Sequence, residues 1–222
     1  MGDETVQYFL REGVASLAGI EIKNMTDVWT QIVPRLEEMF GTPVAFKHGS
    51  VEHLPYPDAS FDVVVSSAVY EHVRNLNMAV HEQARVLKPG GFATHEIGPL
   101  YFSYSGDHCI GLRGLASGYD HLILDEAEYR RNIADDEFFN KKASTVGAHS
   151  WAKKDNFSFA RLHEYLSIFQ TFFKIELLIL VISEEGVRYR EQYPARWGQL
   201  LAAGLTPTDL LVSGIKILLQ KP

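Results

Sequence analysis

The seven residues FDVVVSS at positions 61–67 constrain the fold more than any other stretch of the chain. Three successive valines without polar alternation mark a strand buried on both faces, as in a parallel sheet covered by helices. The flanking sequence agrees. Residues 75–87 place Leu76, Val80, Ala84 and Leu87 on one side of a helix, Lys88-Pro-Gly-Gly91 stops it, and 92–97 reads as the next strand. Upstream, Val6, Phe9, Leu10, Val14 and Leu17 predict a helix over 4–17, and LAGIEI (17–22) predicts a short strand. Thr26 or Asp27 caps a helix reaching about Phe40, with Pro34 an irregularity, and 44–47 is a further strand. Strands and helices alternating through short connections specify a parallel sheet with helices packed on it.

The second half is less regular. Residues 98–120, rich in Gly, Ser and Tyr, read as a long loop or lid. An acidic helix is expected over 125–139, an irregular polar stretch over 140–157 and a helix over 159–172. Strands at 176–183 and 211–219 would close the sheet antiparallel at its edge. The expected fold is α/β, a Rossmann-like three-layer sandwich forming one domain over 1–222.

Composition removes several function classes. The only cysteine is Cys109, so neither an intrachain disulfide nor a cysteine-based zinc cluster can form. A net charge of −7 argues against a chain that grips nucleic acid. The N-terminus lacks the basic and apolar regions of a signal peptide. The most apolar stretch, 172–182, is about half a membrane span and is broken by Lys174 and Glu176. The expectation is a cytoplasmic protein that neither enters membranes nor binds nucleic acid.

In an open parallel sheet, ligands bind beyond the carboxyl ends of the strands. Glu21 ends the first strand, where a carboxylate can accept hydrogen bonds from both hydroxyls of a ribose or simply cap the next helix. Ser50 and Val51 follow the second strand, in a turn whose backbone can read an adenine edge. Ser66, Ser67 and Ala68 follow FDVVV and are small enough to let a ligand approach the backbone.

GIEI (19–22), GSVEHLPYPDASFDVVVSS (49–67), the YEHV that follows and EQARVLKPGGF (82–92) stand in this order. Together they resemble the class I S-adenosylmethionine-dependent methyltransferases over roughly residues 5–97. The closing DLLVSGIKILLQKP is also similar to that family's last strand. The resemblance implies a cofactor-binding half at 1–97, with lid, acceptor region and closing strands at 98–222. It implies that Glu21 binds the ribose of S-adenosylmethionine, that Ser50 and Val51 lie beside its adenine, and that Ser67 and Ala68 line the pocket near its methionine part. Asp62, inside its strand, is expected to be structural.

One family motif is absent. No two of the 17 glycines stand two residues apart, so the chain has no Gly-x-Gly loop, and the central first strand that normally precedes that loop is missing. Three arrangements accommodate this. The sequence is part of a longer chain, the two neighbouring strands pair directly, or a second copy fills the gap in a homodimer.

The implied reaction is methyl transfer to an oxygen or nitrogen of a small molecule, for which a base near neutrality helps. His72, His95 and His108 are the candidates. The segment 98–108 and Trp151 suit a small polar, sugar-like acceptor. A rival reading is a catalytically silent or truncated domain serving as a partner subunit. No metal is assigned; a weaker third possibility is a metal site of His95, Glu96, Asp107 and His108.

Overall fold

A computed structural model describes residues 3–108, 114–134 and 157–222. Cys109, Trp151 and most of the expected irregular stretch lie outside the described residues. Helix α1 (Asp3–Arg11), strand β1 (Leu17–Glu21), helix α2 (Thr26–Phe40) and strand β2 (Val44–His48) form an N-terminal unit in which β1 and β2 pair in parallel. Strand β3 (Phe61–Ser67), helix α3 (Leu76–Val86) and strand β4 (Leu87–Ile97) follow. Short helices α4 (Asp120–Ile123) and α5 (Glu126–Ala134) precede α6 (Leu162–Phe172) and strand β5 (Lys174–Ile182). Helices α7 (Glu184–Gln192), α8 (Pro194–Ala202) and α9 (Pro207–Leu211) lead into strand β6 (Val212–Gln220).

The second sheet has the order β3-β4-β6-β5. Strand β3 is parallel to β4, and β6 is antiparallel to both β4 and β5. Three of its four strands therefore run one way and β6 runs against them, which is the Rossmann-like α/β arrangement closed at its edge by the antiparallel β6-β5 pair.

Local chemistry explains most boundaries. Asn75 caps α3 by accepting the Met78 N–H at 3.1 Å, and α3 buries Leu76, Ala79, Val80, Ala84 and Val86. Gly41 ends α2 in the left-handed conformation, its N–H bonding Glu37 O at 2.8 Å. The N-terminal helix stops at Arg11 rather than 17, because Gly13 turns the chain with φ 76°. Residues 88–91 end a helix as expected, yet they belong to β4. The ends of β4 and β6 zip there through Gly90 N–H to Lys221 O and Lys221 N–H to Gly91 O. Helix α6 starts at Leu162, just after Phe159 takes φ 55°. Helices α7 and α8 lie in a stretch without a clear helical or strand pattern in the sequence.

The main core lies between α3, α6 and the β4-β6 region, with Tyr165, Phe169, Ile215, Ile217 and Leu219 almost fully enclosed. A second cluster of Tyr104, Tyr119, Tyr189, Trp197, Leu200 and Leu210 ties the segment after β4 to α7, α8 and α9. The N-terminal unit has only a small core of its own, built on Val6, Leu10 and Val44.

Strands β1 and β3 do not pair, so direct pairing of the two neighbours is not what the chain does. Between them lies an apolar cavity of about 420 Å³, lined by Phe9, Leu17, Gly19, Ile20, Val63 and Val65 among others. This corrects one expectation. FDVVVSS is half-buried rather than enclosed on both faces, and Val63 remains 46% exposed, because the edge of β3 looks into that space. Hydrogen-exchange mass spectrometry should show the consequence. Peptides covering β1 and β2 are expected to exchange on the order of tenfold faster than those covering 92–97 and 212–220. Equal protection would mean that the two sheets act as one.

His95, one of the three candidate bases, lies on β4 inside the main core and is 2% exposed. Ser66 Oγ and Gln83 Nε2 stand 2.8 and 2.9 Å from its two ring nitrogens, and the Phe169 ring stacks on it. The Gln83 amide nitrogen can only donate, so Nε2 accepts and Nδ1 carries the proton toward Ser66. Burial holds this imidazole down to about 3. It is thus neutral when folded, and near 6.5 when unfolded. Stability contributed by its neutral form is complete above about pH 6.5 and is lost as pH falls toward the folded value. Chemical denaturation of the wild type and His95→Gln between pH 6.5 and 5 tests this. The variant should lose up to about 1.4 kcal/mol per pH unit of the acid dependence. Parallel slopes would show that His95 binds its proton in the folded protein.

Candidate functional site

Glu21 is the last residue of β1, and its carbonyl accepts the Gly49 N–H at 3.0 Å. That bond brings the start of the loop after β2 against the end of β1. The Glu21 carboxylate takes the Lys23 N–H at 3.1 Å and is half-buried. Ser50 follows Gly49; its Oγ accepts the Glu52 N–H at 3.1 Å, and its carbonyl accepts the His53 N–H. Val51 packs against the main core. Glu21, Ser50 and Val51 are thus gathered along one loop.

An ion-pair clamp on α3 holds that loop in place. Arg85 donates to Tyr56 O at 2.8 Å and to Leu54 O at 3.0 Å, and it pairs with Glu82 and Asp58 at 2.7 and 2.8 Å. Glu82 in turn accepts the Leu54 N–H at 2.8 Å. The Arg85 guanidinium holds the Glu82 carboxyl down to about 2. At the other end of the loop, Tyr56 donates to Gly19 O at 3.1 Å. Asn75 N–H reaches Glu52 at 3.1 Å, tying the loop to the start of α3. These contacts connect the N-terminal unit to the second sheet.

Ser67 and Ala68 end β3, where Ala68 takes φ 52° and its N–H donates to Glu96 O at 2.9 Å. They line an open cleft of about 740 Å³ shared with Glu96, Gly98, Pro99, Tyr104 and Ser105. Gly98 is required here: φ is 144°, and a Cβ would stand 2.6 Å from Ser213 O. Glu21, Ser50 and Val51 do not line this cleft. Asp62, as expected, makes a surface pair with Lys88 at 2.7 Å.

Two of the three candidate histidines meet. His72 lies on a 3₁₀ turn (Tyr70–His72) just after β3, and His108 lies at the end of the segment following β4. Their ring centroids are 4.8 Å apart, and Phe157 packs against both. The segment from 98 to 108 folds tightly on itself. At Gly106 a Cβ would lie 2.2 Å from Tyr101 O. His108 takes φ 62°, its N–H bonds Ser105 O at 2.9 Å, and its Nε2 faces Pro99 O at 3.4 Å. Burial, reinforced by His72, lowers the His108 imidazole to about 4. His95 stands apart, under Phe169.

Glu71 was not singled out by sequence. It is 1% exposed, and neither carboxylate oxygen has a hydrogen-bond partner. Burial raises it to about 7; the nearby backbone N–H groups of Glu71 and Gly98 pull the other way, and Glu96 adds repulsion. The signal was an acid immediately before a histidine at the end of a strand. Asp107 is also buried, accepting the Tyr129 hydroxyl at 2.7 Å with His121 Nδ1 at 3.8 Å. The set His95, Glu96, Asp107 and His108 is not gathered. His95 has both nitrogens occupied, and Glu96 pairs with Lys216 at 2.6 Å.

Residues 2–94 match the family described as Methyltransferase domain. Over 48 residues the chain is 50% identical to a protein of Mycolicibacterium smegmatis named as a probable S-adenosylmethionine-dependent methyltransferase, covering 22% of this chain and 19% of that protein. Over another 48-residue alignment it is 44% identical to the 27-O-demethylrifamycin SV methyltransferase of Amycolatopsis mediterranei, covering 22% and 18%. The aligned stretch is thus about a fifth of each relative's length. The fold is similar to that of an S-adenosylmethionine-dependent methyltransferase from Mesorhizobium loti, with a TM-score of 0.55, 14% identity and coverage of 98% of this chain and 85% of that one. Residues 2–94, somewhat under half of the chain, are thus similar to the methyltransferase-domain family, and the fold of the whole chain is similar to that of solved S-adenosylmethionine-dependent methyltransferases.

Proposed function

We propose that this chain transfers a methyl group from S-adenosylmethionine to an oxygen or nitrogen of a small polar, sugar-like molecule. The observation that carries the reading is the Glu21–Gly49 bond, which sets a carboxylate and the Ser50–Val51 backbone side by side at one strand end. The donor chemistry fits an adenosine. Glu21 can accept from ribose hydroxyls, and the turn at 50–51 offers backbone groups to the adenine edge. The small side chains of Ser67 and Ala68 leave room near the methionine part. When bound, S-adenosylmethionine supplies a methyl group on a positively charged sulfur, open to in-line attack.

The protein's share is positioning and proton removal. His72 and His108 stand as a pair, with His108 Nε2 3.4 Å from the carbonyl of Pro99, which lines the open cleft. There either imidazole can take the proton of an acceptor hydroxyl or amine as its lone pair attacks. His95 supports the core in this reading. The name of the Amycolatopsis relative, an O-demethyl compound's methyltransferase, agrees with an oxygen acceptor. No helix among the described residues is long and apolar enough to cross a membrane. A cytoplasmic setting and a soluble acceptor are part of the proposal.

A second reading has its own observation, the open space between β1 and β3. A domain with two unpaired strand edges suits a silent partner subunit, or one half of a homodimer. The outer strand β5 offers a further contact surface, with Leu177 and Ile182 each 52% exposed.

Calorimetric titration with S-adenosylhomocysteine separates the readings. The wild type should bind with micromolar affinity, and Glu21→Ala should weaken binding by at least about tenfold, the equivalent of about 1.4 kcal/mol. A folded wild type that gives no heat at millimolar ligand would establish the silent reading instead.

A further inference from the structure

We infer that Glu71, His72 and His108 form a site for a divalent transition-metal ion of the zinc type. Each offers one ligand atom, and the three atoms lie within 4.8 Å of one another. Two imidazoles and one carboxylate are the donor set that zinc and its neighbours bind, with positions left over for water or a substrate oxygen. Bonds of about 2.1 Å in a tetrahedron put ligand atoms about 3.4 Å apart, so modest side-chain rotation closes the set.

A second observation points the same way. The Glu71 carboxylate is 1% exposed, and both its oxygens lack a hydrogen-bond partner. Buried carboxylates are ordinarily paired, hydrogen-bonded or bound to a metal, and this one is neither paired nor hydrogen-bonded among the described residues. A cation supplies the missing partner.

The surroundings are built to hold the ligands in place. Ser158 N–H donates to Glu71 O at 2.8 Å, and His72 N–H donates to Val69 O at 2.9 Å. The Tyr165 hydroxyl holds Tyr70 O at 3.2 Å, one residue away. His108 is held in a left-handed conformation that few non-glycine residues adopt, at the end of a tightly folded segment. Phe157 covers both imidazoles with an apolar ring. The three ligands thus come from two separate segments, each fixed by its own backbone bonds, which is the preorganisation a metal site needs. The ion itself rests on this geometry alone. Its use rests on the methyl-transfer reading: with the cation bound, the imidazoles become ligands, and the cation takes over activation of an acceptor oxygen.

The test uses the full chain, stripped with chelator and titrated with zinc(II), and with cobalt(II) as the spectroscopic probe. The wild type should bind one equivalent and develop a visible cobalt band. Glu71→Gln, nearly isosteric, and His108→Ala should each lose at least about tenfold in affinity. His163→Ala, which removes an exposed histidine on α6, should bind as wild type does. A wild type that takes up less than a stoichiometric amount would overturn the site, as would Glu71→Gln and His108→Ala variants that bind unchanged. Metal uptake without S-adenosylhomocysteine binding would overturn the methyl-transfer reading alone, and the reverse would overturn the metal site alone.

Discussion

The space between β1 and β3 governs how the rest of the molecule is built. A parallel strand inside a sheet bonds neighbours on both sides. Here the facing edges of β1 and β3 are open, and the β1-β2 ladder stands apart from the four-stranded sheet. The backbone groups that face the cavity need water or another strand to satisfy them. The cavity walls, however, are mainly valine, leucine and phenylalanine. Apolar walls with open backbone edges are poorly served by water and well served by an extended apolar segment. This conflict explains why β3, whose sequence is suited to full enclosure, remains half-buried.

With sheet pairing interrupted, side chains connect the two parts. The Arg85 clamp performs this task. One guanidinium reaches two loop carbonyls and two carboxylates, the fixed fork geometry that lysine could not reproduce. Glu82, only 12% exposed at its side chain, is held charged by that guanidinium. The clamp anchors the loop whose near end positions Ser50 and Val51 beside Glu21. The geometry of the candidate cofactor site therefore depends on α3 as much as on the strands that carry its residues.

The sequence revealed this half of the protein well because local rules acted in concert there. The β-branched run, the Asn75 cap and the periodic face of α3 all pointed to one arrangement, and each element formed close to where it was expected. The Lys-Pro-Gly-Gly stretch shows the limit of such rules. It ended the helix, yet whether it then became loop or strand depended on Lys221, 130 residues further along, pairing with Gly90 and Gly91. Helices α7 and α8 were similarly illegible, because their apolar residues face a mixed Tyr/Trp cluster assembled from distant segments. Among the candidate site residues, strand-end position singled out Glu21, Ser67 and His72. It could not tell His95 from the others, since burial and occupied ring nitrogens are properties of packing rather than of spacing.

The same distinction separates Glu71 from its neighbour. In sequence, Glu71 and His72 are equivalent candidates at the end of β3, and histidine draws attention because it titrates near neutrality. In three dimensions the carboxylate is the more unusual group. It is enclosed, and neither oxygen makes a hydrogen bond among the described residues, whereas most other acids there are exposed or paired. A fold retains such a group only if its free-energy cost is offset elsewhere. The adjacent 3₁₀ turn, the left-handed His108 and the Phe157 cover impose additional order on one small volume rather than relieving it. That concentration of constraint lies next to the open cleft lined by Ser67 and Ala68, while the candidate residues Glu21, Ser50 and Val51 lie along a separate loop. Such a separation allows acceptor chemistry to vary without disturbing the part of the chain that carries the family pattern.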